Sequence, residues 1–131
     1  MDTIEVVTRS RECLVDISSP VDRAVKDSGV TEGLCTVYVP HTTAGVTINE
    51  NADPDVPADI IAHLERLVPH DAGFKHFEGN SDSHIKASLM GFEQAVLIED
   101  GSPVLGRWQC IYFCEFDGPR DRNIFLQVIP A

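Results

Sequence analysis

The sequence predicts a single α+β domain over residues 1–131, β-sandwich-like, with two or three helices inserted. Three observations carry that prediction. First, the chain contains about seven short runs rich in β-branched and aromatic residues, too many for a helical bundle. Second, the helix-forming segments all fall in the first two-thirds, so strands and helices do not alternate as in a βαβ protein. Third, 131 residues with 43% hydrophobic side chains suffice for one core, not for two ordinary domains.

Thr3–Arg9 and Glu12–Ser18 alternate apolar and polar residues and read as two paired strands. Ser18-Ser19-Pro20 supplies an N-cap and a first-turn proline for a helix over Val21–Ser28, which Gly29 ends. Gly33–Pro40 and Thr43–Glu50 follow as strands. Asp53 and Pro54 then open an amphipathic helix whose stripe is Ile60, Ile61, Leu64, Leu67 and Val68, stopped by Pro69. Residues 70–83 show no period and form a polar, glycine-containing connection of a length that usually serves a site. Ser83 caps a short helix over His84–Met90, closed by Gly91. The strands Glu93–Glu99, Arg107–Phe116 and Asn123–Ile129 complete the chain, with turns at Asp100-Gly101 and Asp117-Gly118-Pro119.

The charge narrows the function. With 21 acidic against 10 basic side chains the net charge is -11, which argues against a nucleic-acid or anionic-membrane binder. No apolar run approaches the roughly 20 residues needed to span a bilayer, and no secretory signal opens the chain, so the expected location is cytoplasmic. The acidic residues are mostly Asp and the bases mostly Arg, a bias that suits a high-salt host and equally an ordinary acidic protein. Cys13, Cys35, Cys110 and Cys114 form no CxxC pair and read as reduced, structural thiols.

Chemistry-bearing residues concentrate in three stretches. In Pro40–Asp53, His41 stands at the junction of two strands, while Asn49, Glu50 and Asp53 gather where a strand ends and a helix starts. Such a junction binds polar ligands through free backbone N–H groups, although Asn49 and Asp53 can equally serve as caps and turns. In His76–Gly91, His76 and His84 flank a flexible turn, and with His41 they could supply three nitrogens to one ion with a position left for water or substrate. The bland alternative is three hydrogen-bonded surface histidines. Lys86 and Ser88 lie on the same segment and could reach a phosphate. In Gly106–Arg122, Gln109 follows the single tryptophan, and Glu115 sits near the end of an apolar strand, where a carboxylate needs a partner. Arg120 and Arg122 are natural partners for Glu115 or for a phosphate.

Three runs together resemble a known family: His41-Thr-Thr-Ala-Gly-Val-Thr-Ile-Asn-Glu-Asn-Ala-Asp-Pro54, Ser83-His-Ile-Lys-Ala-Ser-Leu-Met-Gly91, and Gly106-Arg-Trp-Gln109 through Glu115-Phe-Asp-Gly-Pro-Arg120. They are similar to the YjbQ-like family, whose members are often labelled secondary thiamine-phosphate synthases. The resemblance covers the whole chain and implies a YjbQ-like fold that assembles as a homotrimer. It places His41, His76 and His84 at the family's recurrent histidines and so raises the expectation of a shared divalent ion, zinc or magnesium. The resulting expectation is a metal-dependent transferase acting on a phosphorylated small molecule, in the labelled case a pyrimidine pyrophosphate joined to a thiazole phosphate. Glu50, Glu115 and Lys86 are then the expected catalytic groups, and Asn49, Asp53, Ser88, Gln109, Arg120 and Arg122 the expected substrate contacts. The alternative is a non-catalytic trimer that binds a metal or ligand.

Overall fold

The computed structural model describes all residues 1–131. Its elements are β1 (Asp2–Val7), β2 (Cys13–Asp16), α1 (Ser18–Ser28), β3 (Gly33–Tyr38), β4 (Ala44–Glu50), α2 (Asp55–Leu67), α3 (Ser81–Met90), β5 (Glu93–Glu99), β6 (Ser102–Pro103), β7 (Gln109–Glu115) and β8 (Asp121–Pro130). The strands form two antiparallel sheets, one of five strands in the order β1-β8-β3-β5-β6 and one of three in the order β2-β7-β4. The mixed α+β sandwich is as expected, with three helices.

The two sheets enclose the main core. Val6, Cys35, Val37, Val96, Ile98, Ile124 and Leu126 of the larger sheet meet Val46, Ile111 and Phe113 of the smaller, and Val21 and Val25 of α1 close one side. β7 is the central strand of the smaller sheet and is buried on both faces. Its alternate residues Cys110, Tyr112 and Cys114, with Phe116 just beyond, pack under Ile61 and Leu64 of α2 and Ala87 of α3. A strand covered on both sides reads as a continuous apolar run, which explains Gln109–Phe116. The layers are therefore sheet, sheet, helices. The outer face of the five-stranded sheet has no helix over it.

Several local expectations change. β1 and β2 do not pair with each other: β1 lies against β8 and β2 against β7. The chain crosses between the sheets over residues 8–12, and in both sheets the partner comes from the C-terminal third. Periodicity identified the strands but not their neighbours. α1 starts at Ser18, and the Ser18 hydroxyl accepts the Ile111 N–H rather than capping its own helix. α3 begins at Ser81, earlier than expected, because the Ser83 hydroxyl donates to the Phe116 carbonyl instead of capping. Asp53 does act at the start of α2, accepting the Asp55 N–H at 2.9 Å. The Asp100-Gly101 turn is as expected, with both residues at positive φ.

All four thiols are free. Burial pushes the Cys35 thiol up to about 11 and the Cys114 thiol up to about 12, so neither offers a thiolate. They are core residues, as the sequence suggested.

Candidate functional site

The site is built from the end of the sandwich where β7 and β8 approach one another. Glu115, the last residue of β7, and Arg122, near the start of β8, face each other from different sheets. The Arg122 guanidinium donates through Nε to Glu115 Oε1 at 2.9 Å and through Nη2 to Oε2 at 2.5 Å. Nη2 also donates to the Thr43 hydroxyl at 2.8 Å. The Thr8 hydroxyl donates to Glu115 Oε1, and the N–H groups of Phe116 and Asp117 donate to Oε2. Both ionic side chains are buried, and every bond to the carboxylate is charge-assisted.

This network leaves one end of Arg122 free. Nη1 makes no bond within the chain, and the residue lines a cleft of about 380 Å³ with Pro40, His41, Thr42, Thr43, Glu78, Asn80, His84, Asp117 and Arg120. No hydrophobic side chain lines it. Arg120 stands at the rim, its Nε on the Asp117 carbonyl and its Nη2 on Asp117 Oδ2. Asn80 Nδ2 donates to the same Oδ2 at 2.9 Å. The loop between these residues needs Gly118, since a Cβ there would stand 2.4 Å from the Ser10 carbonyl oxygen and 2.8 Å from Glu115 Cγ.

His41 is fixed by the backbone. Its Nε2 accepts the Asn123 N–H at 3.0 Å, so a neutral His41 carries its proton on Nδ1. Burial, helped by the Arg122 charge, holds its pKa below the ordinary 6.5. The result is a neutral imidazole with one N–H to donate. His84, on α3, makes no ring hydrogen bond within the chain and forms a wall common to this cleft and to a neighbouring hollow of about 410 Å³ lined by Phe74, Lys75, His76, Ser81 and Ile85. His76 lies on the hollow's side, its ring edge-on to His84 with centroids 5.5 Å apart.

The three histidines are thus neighbours in the fold, but they do not converge as ion ligands. His41 has committed the lone pair of Nε2 and has a proton on Nδ1. No group of three or more His, Cys, Asp and Glu side chains is placed to hold a metal ion. The arrangement does not fit a zinc or magnesium ion shared by His41, His76 and His84.

The other expected site residues divide sharply. Arg120, Arg122, His41 and His84 meet at the cleft. Glu115 lies behind it as the anchor of Arg122 rather than as a free acid–base group. Lys86 does not reach it: the side chain is fully buried, its ammonium paired with Glu12 and, at 3.3 Å, with Asp82. Arg11 closes that second network with two bonds to Asp82 at 3.0 and 3.1 Å. Ser88 is exposed, its hydroxyl spent on the His84 carbonyl. Asn49, Glu50, Asp53 and Gln109 lie at the opposite end of the smaller sheet. The register pairs Ala44 with Glu115 and Glu50 with Gln109, about 20 Å apart along β4. An extended strand carried the two halves of one sequence stretch away from each other. Asn80, Asp117, Thr42 and Thr43 are cleft residues that the sequence reading passed over, although Asp117 stood inside a motif it had marked as a turn.

Comparison with known proteins follows the geometry. The family model for UPF0047 protein YjbQ-like matches residues 2–131. A UPF0047 protein of Methanocaldococcus jannaschii is 53% identical over 125 residues, covering 95% of this chain and 91% of that one. The UPF0047 protein YugU of Bacillus subtilis is 42% identical over 130 residues, 98% of each. Among solved structures, a YjbQ/UPF0047 family protein of Clostridium acetobutylicum superposes with TM-score 0.97 at 51% identity, covering 98% of this chain and all of the other. A YbjQ-like protein of unknown function from Sulfolobus solfataricus gives TM-score 0.95 at 32% identity over 99% of this chain and 96% of that one.

Proposed function

The chain belongs to the UPF0047 protein YjbQ-like family, and we propose that it is a cytoplasmic enzyme acting on a phosphorylated small molecule held in the polar cleft. The observation that carries this reading is the state of Arg122. In a protein of net charge -11, a buried guanidinium is braced by Glu115 and Thr43 and keeps Nη1 for the cleft, with Arg120 beside it. A rigid, oriented guanidinium facing a hydrophilic hollow is suited to a phosphoryl group. The Nδ1–H of His41 adds a neutral donor, and His84, whose ring has no partner in the chain, is the group available for proton transfer. No step is routed through a metal. Four free thiols support a reducing compartment, and no helix is long and apolar enough to cross a membrane.

Phosphate titration of the wild type and of Arg120→Ala and His84→Ala tests the reading. Both substituted residues lie at the cleft and outside the core. Loss of Arg120 is expected to weaken phosphate binding by roughly tenfold or more. An affinity unaffected by Arg120→Ala, or no binding at all, would sink it. Within the same class, formation of thiamine phosphate from a pyrimidine pyrophosphate and a thiazole phosphate is the specific reaction to assay. A rate that His84→Ala and Arg120→Ala leave unchanged would remove that assignment from this cleft.

The reading includes a homotrimer. Its support is the uncovered face of the larger sheet, where Leu34 pairs in register with Leu97 and Ile129, and Tyr38 stacks on Phe125 with centroids 6.4 Å apart. Leu97 and Ile129 are 64% and 50% exposed, which suits burial against further copies of the chain. Sedimentation velocity of the wild type and of Leu97→Asp checks it: a monomer at micromolar concentration would refute the trimer.

A further inference from the structure

The cleft has an acceptor side as well as a donor side. Asn80 Oδ1 is buried and has no hydrogen-bond partner in the chain, the one side-chain atom of which this is true. Its orientation is not free. Nδ2 faces Asp117 Oδ2, a carboxylate oxygen that can only accept, so turning the amide over would set two acceptors against each other. Asn80 therefore keeps an unpaired acceptor in a cleft whose opposite wall offers guanidinium and imidazole N–H groups. Asp117 stands beside it, spending only Oδ2 on Asn80 and Arg120 and leaving Oδ1 without a partner.

A bare phosphate does not answer this arrangement. Its oxygens pair with Arg122, Arg120 and His41, but a fully ionised phosphate has no proton to give Asn80 or Asp117. A buried acceptor left unpaired is costly, and a ligand hydroxyl is the group that would satisfy it. The lining supports the same conclusion. Ten residues, none hydrophobic, surround the cleft, so it offers no apolar face to an aromatic ring.

Resting on the anion-cleft reading above, we infer that the ligand is a hydroxylated aliphatic phosphate ester, of the polyol- or sugar-phosphate class. Its phosphate meets Arg122 and Arg120, and a hydroxyl donates to Asn80 Oδ1 with Asp117 as a second acceptor. Sites of this kind discriminate strongly, because an analogue lacking the hydroxyl leaves the acceptor unpaired.

Titration calorimetry of the full chain with three monoesters, ethyl phosphate, glycerol 3-phosphate and phenyl phosphate, together with inorganic phosphate, tests this. Glycerol 3-phosphate is expected to bind about tenfold more tightly than ethyl phosphate. Asn80→Ala should abolish that difference while ethyl phosphate binds within about twofold of wild type. Equal affinities for the two aliphatic esters in wild type would mean that Asn80 is satisfied by water, and would overturn the inference. A preference retained in Asn80→Ala would do the same. Tighter binding of phenyl phosphate than of glycerol 3-phosphate would also overturn it and direct the organic group to the adjoining hollow of Phe74 and Ile85. Failure of inorganic phosphate itself to bind would remove the anion-cleft reading and this inference together. Phosphate binding without hydroxyl preference removes only the latter.

Discussion

Glu115 and Arg122 are seven residues apart in sequence, yet they stand on different sheets and join them through two hydrogen bonds of 2.9 and 2.5 Å. The pair closes the open end of the core and aims Arg122 at the cleft, so folding and ligand binding depend on one contact. Removing only the carboxylate leaves a buried guanidinium without its counter-charge, a change that typically costs 3–5 kcal/mol. Glu115→Ala is expected to lower the unfolding free energy by about that amount, read as a reduced urea midpoint with an unchanged slope. A loss below about 1 kcal/mol would show that the pair is solvated and does not brace the site.

Gly118 is the second structural requirement of the same corner. A Cβ at that position would lie 2.4 Å from the Ser10 carbonyl oxygen and 2.8 Å from both Glu115 Cγ and the Thr8 hydroxyl. The nearest neighbour is backbone and cannot swing away. Gly118→Ala is expected to destabilise by about 1–3 kcal/mol, as overpacking does, and to displace Glu115. The check is a paired measurement of urea midpoint and phosphate affinity. Wild-type values for both would show that the loop has room the geometry denies.

His41 links stability to pH. Burial, with the Arg122 charge in support, lowers its pKa in the folded state below the ordinary 6.5, so the unfolded chain binds the proton more readily. Its contribution is then fully present above about pH 6.5, shrinks as the pH falls below that value, and is gone once the pH passes the folded-state pKa. His41→Gln is expected to flatten this part of the stability–pH curve between pH 7.5 and 5. The ring's own titration, followed by its proton resonances, should have a midpoint below 6.5. A midpoint at or above 6.5 would contradict the desolvated, backbone-bound imidazole.

The sequence exposed the sandwich because strands two-sided in their alternation, and one buried on both faces, leave periodic traces. Their partners left none: β1 and β2 are neighbours in the chain but lie in different sheets. The arginines of the cleft were legible because two bases beside one turn stand out in an acidic chain. Lys86 was misplaced for a related reason. A lysine on a short helix resembles a surface cation unless one knows that Arg11, Glu12 and Asp82 surround it, and Glu12 lies 74 residues away. Glu50 and Asp53 misled through chain proximity, which an extended strand undoes. Asn80 carried no sequence signal at all, since its significance lies in a missing partner.

That displacement of Lys86 yields a prediction that separates structure from function. Its ammonium, fully buried between Glu12 and Asp82, ties α3 to the segment between β1 and β2. It also lies outside the lining of the cleft that holds His84 and Arg122. Lys86→Met fills the volume but strips two buried carboxylates of a counter-charge, and only Asp82 retains Arg11 at hydrogen-bonding distance on both oxygens. The unfolding free energy is expected to drop by about 3–5 kcal/mol. Phosphate affinity, measured at low temperature where the variant remains folded, should stay within about twofold of wild type. A large loss of affinity in a folded Lys86→Met protein would return the lysine to the site and show that the cleft extends beneath α3.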